Sequence, residues 1–191
     1  MTQVDICNMA LAHLGQAPIN ATTDQNERAR RCALFYPVAL DKLLKCHPWR
    51  FADTTAQLAT VDASRIPPPY KYAYARPANA LQINKVFNET PGQFKFFEAS
   101  DATGRMLVTY EPVTYVNYTR KVTDTNLFDA AFVEALSWEL AHQLAPTLTK
   151  SNEDVTRTQQ QALITLDQAR YQNRAEGNNE LDIKSSYLSQ L

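Results

Sequence analysis

The sequence predicts an α+β protein: mainly a bundle of amphipathic α-helices, with one small antiparallel β-sheet inserted between the second and third helices. Three observations predict it. Apolar residues recur at helical spacing in four stretches, about 2–14, 24–47, 126–145 and 151–176. Between the second and third, residues from about 54 to 120 become rich in Thr, Val, Tyr, Phe and Pro and show period-two alternation. Only four glycines occur in 191 residues, which argues against glycine-loop nucleotide folds. A chain of this length buries a real core, read here as one domain over 1–177 followed by a tail over 178–191.

The first helix opens on Thr2, a capping residue with Asp5 three positions on, and places Val4, Cys7, Leu11 and Leu14 on one face beside Ile6 and Ala10. Gly15 is suited to a left-handed stop, and Pro18 keeps the chain from continuing. The second helix is expected to take Thr22 or Thr23 as its cap, with Asp24 and Glu27 at the positive end of the helix dipole. Its apolar stripe is Ala29, Cys32, Ala33, Tyr36, Ala39, Leu40, Leu43 and Leu44, backed by Arg28, Arg30, Arg31, Asp41, Lys42 and Lys45. Pro37 inside it predicts a kink or short break. His47-Pro48 ends it, because the residue before proline is biased out of the helical region. Trp49 and Phe51 follow as apolar anchors.

In the inserted region, Pro67-Pro68-Pro69 predicts an extended, polyproline-like segment. Alternation marks strands at Tyr70–Tyr74, Leu81–Phe87, Phe94–Glu98 and Met106–Tyr110, and Val113–Thr119 adds Tyr115 and Tyr118. The turn chemistry of Ala99–Arg105 pairs the third and fourth strands as a hairpin. Helix resumes at Asn126, capped by Asn126 or Asp124, with Phe128, Phe132, Ala135, Leu136, Leu140 and Leu144 inward and Pro146 closing it. Ser151 and Asp154 start the last helix, whose sparse stripe is Val155, Ala162, Leu163, Leu166 and Ala169. Gly177-Asn178-Asn179 is expected to end it. Leu181, Ile183, Tyr187, Leu188 and Leu191 then form a spaced apolar set suited to packing on another chain.

Net charge of −1 with 20% charged residues indicates neither a nucleic-acid coat nor an acidic tail. Three cysteines without CxxC spacing read as reduced, partly buried thiols of a cytosolic protein. The N-terminus lacks a basic signal segment, and no apolar run approaches membrane-spanning length. No catalytic, cofactor or metal site emerges. Glu139 and His142 have the Glu-x-x-His spacing of di-iron helices, but a second copy is missing, so a solvated or hydrogen-bonded pair is the reading preferred. Cys32 with Cys46-His47 lacks a second close ligand pair for zinc. Glu134 and Glu139 cannot be ranked as glycosidase acids without a separation. Tyr70, Tyr72 and Tyr74 could stack on single-stranded nucleic acid, yet only Lys71 and Arg76 accompany them, which favours sheet packing. Arg28, Arg30 and Arg31 form the one concentrated basic patch. A solvated face balanced by Glu27 and Asp41 is the plainer reading, and DNA-channel or subunit contact is the functional one.

Five packing motifs occur in order: I-C-N-x-A-L-x-x-L-G-x-x-P-I at Ile6–Ile19, N-E-x-A-x-x-C-x-x-x-Y-P-x-x-x-D-x-L-L at Asn26–Leu44, P-W-R-F-A at Pro48–Ala52, A-Y-A-R-P-A-N-A-L at Ala73–Leu81, and F-D-A-A-F-V-E-A-L-S-W-E-L-A at Phe128–Ala141. This order resembles the head-to-tail adaptor proteins of tailed bacteriophages, the tail tubular protein A type, over about residues 4–145. The resemblance implies a non-enzymatic virion protein at the head–tail junction, present in host cytoplasm during assembly. It implies a twelve-fold homo-oligomeric ring beneath the portal protein, docking a tail nozzle or tail tube protein and passing double-stranded DNA without sequence preference. It requires no cofactor and no membrane. The C-terminal segment would reach the portal through Leu181, Ile183, Tyr187, Leu188 and Leu191. From other classes, a tail-associated cell-wall glycan hydrolase and a cytosolic helical regulator are the alternatives.

Overall fold

The computed structural model describes residues 1–89, 92 and 94–188, with the side chains of 177–188 outside the description. The fold is α+β, and its contacts divide it into a helical unit, Met1–Phe51 with the chain from Val122 onward, and a sheet unit, Ala52–Lys121.

In the helical unit, α1 (Gln3–His13) begins with the expected capping box: Asp5 N–H donates to Thr2 Oγ1 and Thr2 N–H to Asp5 Oδ2. Gly15 follows in the left-handed region at φ 65°. The second helix, α2 (Glu27–Cys46), starts later than expected. Asn26, not Thr22 or Thr23, is its cap and accepts from Ala29 N–H at 2.9 Å. Asp24 instead accepts from the backbone of Asn20 and Ala21, which closes the preceding loop. Pro37 makes no break, and His47 ends α2 in extended conformation at φ −157°, as Pro48 requires.

The hub is α3 (Ala130–Leu148), against which α1, α2 and α4 (Asn152–Leu188) all pack. Phe132, Leu136, Leu140 and Leu144 are fully buried, and Val133, Ser137, Glu139 and Ala141 are buried too, so α3 is covered on nearly every side. Each of its large apolar side chains contributes about 1.5–3 kcal/mol by leaving water. Two expected boundaries are corrected here. Asp124 caps a short 3-10 turn at Thr125–Leu127, and α3 begins after Asp129. Pro146 lies inside the last turn, where it removes one hydrogen bond to the carbonyl four residues before without ending the helix. The helix stops instead at Lys150, whose φ of 53° is left-handed.

Ser151 Oγ caps α4 by accepting from Asp154 N–H. The buried stripe of α4 is Thr158, Ala162, Thr165, Ala169 and Asn173. Thr158 and Thr165 donate back to Asp154 O and Gln161 O, so their hydroxyls are satisfied without help from α3. Small residues on this stripe let α4 lie close, and Leu163, expected inward, is exposed. Gly177-Asn178-Asn179 does not end the helix; its backbone continues to Leu188.

The sheet unit corrects the expectation of a single sheet: it holds two, each three-stranded and antiparallel. One has the order β1 (Asp53–Gln57), β6 (Tyr115–Arg120), β3 (Ala80–Phe87); the other β2 (Tyr72–Ala75), β5 (Gly104–Thr109), β4 (Phe96–Asp101). The expected hairpin is present as β4–β5, but its strands run into the residues assigned to the turn, leaving Ala102-Thr103 between Asp101 and Gly104. Ile83, Val86, Val116 and Tyr118 of the first sheet share a core with Tyr74 and Leu107 of the second. The opposite face of β2 and β5 buries Ala73, Met106 and Val108 in a separate cluster, the period-two consequence of the pleat. Pro67-Pro68-Pro69 is not extended: a cis Pro68-Pro69 bond makes a turn in which Tyr70 N–H donates to Pro67 O.

Candidate interaction surfaces

Where side chains meet, they do so in ways that hold the fold. His13 on α1 stacks on Trp138 of α3, with ring centroids 3.7 Å apart, and its Nε2 lies 3.0 Å from Ser137 Oγ. A histidine beside a serine invites a nucleophilic reading. Ser137, however, is fully buried and donates its own hydroxyl to Glu134 O, so His13 is the donor and Ser137 the acceptor. Burial first, and the nearby Arg157 second, lower the His13 pKa and keep the ring neutral.

The carboxylate of the Glu-x-x-His spacing is also engaged in the fold, but with Lys42 and Gln143 and not with His142. Glu139 Oε1 accepts from Lys42 Nζ at 2.6 Å and from Gln143 Nε2 at 2.8 Å, with its side chain 7% exposed. This ties α2 to α3 through a carboxylate whose charge is matched by a lysine that is itself 58% exposed. A cavity of about 120 Å³ opens beside it, lined by Lys42, Glu139, His142, Gln159, Leu163 and Leu166. Glu134, the other acidic residue weighed as a glycosidase acid, faces solvent.

The cysteines separate. Cys7 and Cys32 are fully buried between α1 and α2 and share a hydrogen bond, which together with burial holds the Cys7 thiol up and protonated. Cys46 donates to Leu43 O, and burial raises its pKa. No group of three or more His, Cys, Asp or Glu among the described residues could hold a metal ion. No helix among them is long and apolar enough to cross a membrane.

The three arginines at the start of α2 do not act as one patch. Glu27 Oε1 accepts from Arg31 Nε at 2.7 Å and Glu27 Oε2 lies 3.6 Å from Arg30, while Arg28 is half-buried. Of the tyrosine run, Tyr74 is buried and accepts from Val113 N–H through its Oη, a packing role. Tyr70 instead joins Phe97 and Tyr110 in a cluster with ring centroids 5.1–6.3 Å apart, two of whose rings are about half-exposed. Arg76 is a structural residue of the sheet unit. It donates to Ala80 O and Leu81 O of β3 and pairs with Glu98 of β4, joining the two sheets. In the tail set, Leu181, Ile183, Tyr187 and Leu188 lie on α4 with side chains outside the described residues, and Leu191 lies outside them altogether.

Reading residue types along the stripes missed the exposed apolar residues of the helical unit. Leu34 and Val38 on α2 are 58% and 56% exposed; Leu163, Ile164 and Tyr171 on α4 are 59%, 49% and 75%. Ala33, expected in the buried stripe, is also exposed. The signal was available: Leu34 and Val38 are four apart and sit off the line of Cys32, Tyr36, Ala39 and Leu43. No protein-family model matches the sequence, and no curated protein matches it.

Proposed function

We propose that the chain is a structural subunit of a bacteriophage head-to-tail connector. In this reading it is a helical bundle with an inserted β region that assembles as a ring under the portal, extends the DNA channel and docks the tail. The observation that carries the reading is the ordered set of five packing motifs from Ile6 to Ala141. Supporting it, these motifs supply core positions in both units: Ile6, Leu11, Tyr36, Leu43, Trp49, Tyr74, Phe132 and Leu136 are all buried. A ring subunit also needs lateral apolar faces, and α2 and α4 leave such faces in solvent. In the virion, Arg28, Arg30 and Arg31 are the candidate channel or subunit contacts. Partial neutralisation by Glu27 suits a conduit, since a lumen that grips phosphate would impede passage of DNA. The segment 178–191 is the candidate portal contact.

The test is light scattering with negative-stain microscopy on the protein alone and then mixed with its candidate portal. Recruitment into a ring on the portal is the expected result, and loss of that recruitment on deleting 178–191, with the fold retained, locates the contact. A small closed oligomer that ignores the portal would overturn the reading.

A further inference from the structure

The turns of α4 beyond Leu166 are held to the corner after α2 mainly by polar groups. Between Asp167 and Glu176 only Ala169 and Asn173 are buried, so little apolar volume is at stake there. Arg170 Nη2 donates to Cys46 O at 3.1 Å, at the carbonyl end of α2, and Arg170 Nη1 lies 3.4 Å from Asp167 Oδ1. One turn on, Asn173 Oδ1 stands 3.2 Å from Nε2 of His47, a buried ring that meets Trp49 edge-on at 5.0 Å. An amide oxygen only accepts, so Nε2 carries the hydrogen and Nδ1 is the basic nitrogen of the ring. Two donors of this seam are buried without a hydrogen-bond partner among the described residues, Arg170 Nε and Asn173 Nδ2. The second lies beside the Asp129 carboxylate without closing a bond to it. Unpaired buried donors make a seam easy to part, because water satisfies them once it opens.

We propose that α4 from Arg170 onward is a latch that opens apart from the rest of the helix when His47 takes up a proton. A neutral imidazole is at ease between Trp49 and Asn173. An imidazolium there is a buried cation beside two guanidiniums, and it regains water only when the turn bearing Asn173 lifts away. Burial first opposes the proton, Arg174 and Arg170 of α4 add to it, and the Asn173 bond favours it. The acidic groups nearby are engaged elsewhere: Asp167 pairs with Arg170, and Asp129 at the start of α3 faces Glu176 and Arg50. Cys46, raised mainly by burial, is a neutral thiol. The earlier turns of α4 have no cause to follow, since Ser151 caps them and Thr158 and Thr165 are satisfied within the helix. The open form binds the proton more readily, so the latch is closed above the ordinary histidine value near 6.5 and opens as pH falls below it. Asp129, raised by burial and then by Glu176, titrates in the carboxylate range below this window. The latch itself does not depend on the connector reading. Its consequence does: the candidate portal contact, 178–191, follows the latched turns in sequence, and opening frees its point of attachment.

Amide hydrogen exchange of the full-length protein at pH 7.5 and 5.5, read by mass spectrometry and corrected for intrinsic rate, tests the latch. For one histidine protonated in the open form, opening of 170–176 is expected to rise up to about tenfold over this range, and by less over 152–166. His47→Gln keeps a side-chain N–H donor and does not titrate, so the rise should vanish. Arg174→Gln, at an exposed position, removes one repelling charge and should shrink the rise. A rise over 170–176 that is under about twofold, or no larger than that over 152–166, overturns the separate latch. A rise that survives in His47→Gln overturns the assignment to His47. If His47→Gln leaves 170–176 open at both pH values, Arg174→Gln decides, and a rise as large as that of wild type overturns the proposal. None of these outcomes bears on the connector reading, which recruitment to the portal decides separately.

Discussion

The two units are stabilised by different means. The helical unit concentrates volume: Trp49, Phe132, Leu11, Leu43, Leu44, Leu136, Leu140 and Leu144 are all essentially inaccessible to water. The sheet unit has fewer large side chains to bury, and its core is divided into the Tyr74–Tyr118 cluster between the sheets and the small Ala73–Met106–Val108 cluster on the other face. What it lacks in volume it replaces with directed polar contacts: Arg76 across the sheets, Tyr74 Oη to Val113, and Asn117 Nδ2 to Asp53 Oδ1 at 2.9 Å. The lesson is that truncating apolar volume should hurt most in the helices, whereas removing a hydrogen-bonding group should hurt most in the sheets.

Trp49→Ala gives the largest expected effect. Trp49 is 1% exposed, meets Phe132 edge-on at 4.9 Å and donates through Nε1 to Leu43 O at 2.7 Å. Losing that volume and the indole hydrogen bond should cost about 3–5 kcal/mol. Urea unfolding followed by the fluorescence of the remaining Trp138 measures it. A cost under about 1 kcal/mol would mean that the helical unit is not held by volume.

Arg76→Met is the counterpart for the sheets. It keeps the aliphatic stem and removes the donors to Ala80 O and Leu81 O. Since hydrogen bonds from a charged donor are worth about 1.5–3 kcal/mol each way of counting, a loss of roughly 2–3 kcal/mol is expected. Amide exchange should locate it in β2 and β3 while α3 keeps its protection. Uniform loss across both units would erase the contrast.

The same division explains what could be read from residues alone. The helices were legible because burial on a helix repeats every three to four residues: the stripes of α1 and α2, the capping box at Thr2 and the stop at His47-Pro48 are all local features. Errors there came from competing local signals. Asn26 outcompeted Thr22 and Thr23 as a cap, and Pro146 did not end α3, which runs on to Leu148. In the sheet unit, strand segments were visible but their partition was not. β1 pairs with β6 about sixty residues away, and the period-two pattern of β5 serves a core on each face, so nothing local says which strand joins which sheet. Arg76 was read only as a basic residue accompanying the tyrosine run, because its partners come from β3 and β4. The exposed Leu34, Val38, Leu163 and Ile164 were hidden by residue type, which does not distinguish an apolar side chain facing a core from one facing solvent.

Two glycines sharpen the contrast at smaller scale. Neither Gly15 nor Gly104 has an atom within 4 Å of where a Cβ would stand, so substitution tests the backbone alone. Gly15, at φ 65°, occupies the left-handed region that alanine enters at a cost of roughly 1 kcal/mol. Gly104 closes the β4–β5 hairpin at φ 140°, a region nearly closed to side chains, and Gly104→Ala should cost about 1–3 kcal/mol. Thermal unfolding of the two variants checks the order, which reverses if the hairpin can rearrange its turn.

Acidification is the mildest way to separate the units. All three histidines lie in the helical unit and none between Ala52 and Lys121. Burial is the main cause lowering the pKa of both His13 and His47; Arg157 adds to it at His13. At His47, Arg174 and Arg170 add to it, while the Asn173 hydrogen bond opposes it. A histidine with a depressed folded pKa binds its proton in the unfolded chain first. Its contribution to stability is therefore whole above the unfolded value near 6.5 and is lost as pH falls below it. Asp129, raised by burial and by Glu176, works in the opposite sense but at lower pH, in the carboxylate range. Between pH 7 and 5.5 the urea midpoint reported by Trp49 and Trp138 should therefore fall, while exchange protection in β5 and β6, corrected for intrinsic rate, should hold. His13→Gln together with His47→Gln should flatten the fluorescence trend. A sheet unit that weakens in step would mean that the two units unfold as one, and the contrast between volume and polar closure would then describe their cores but not their stabilities.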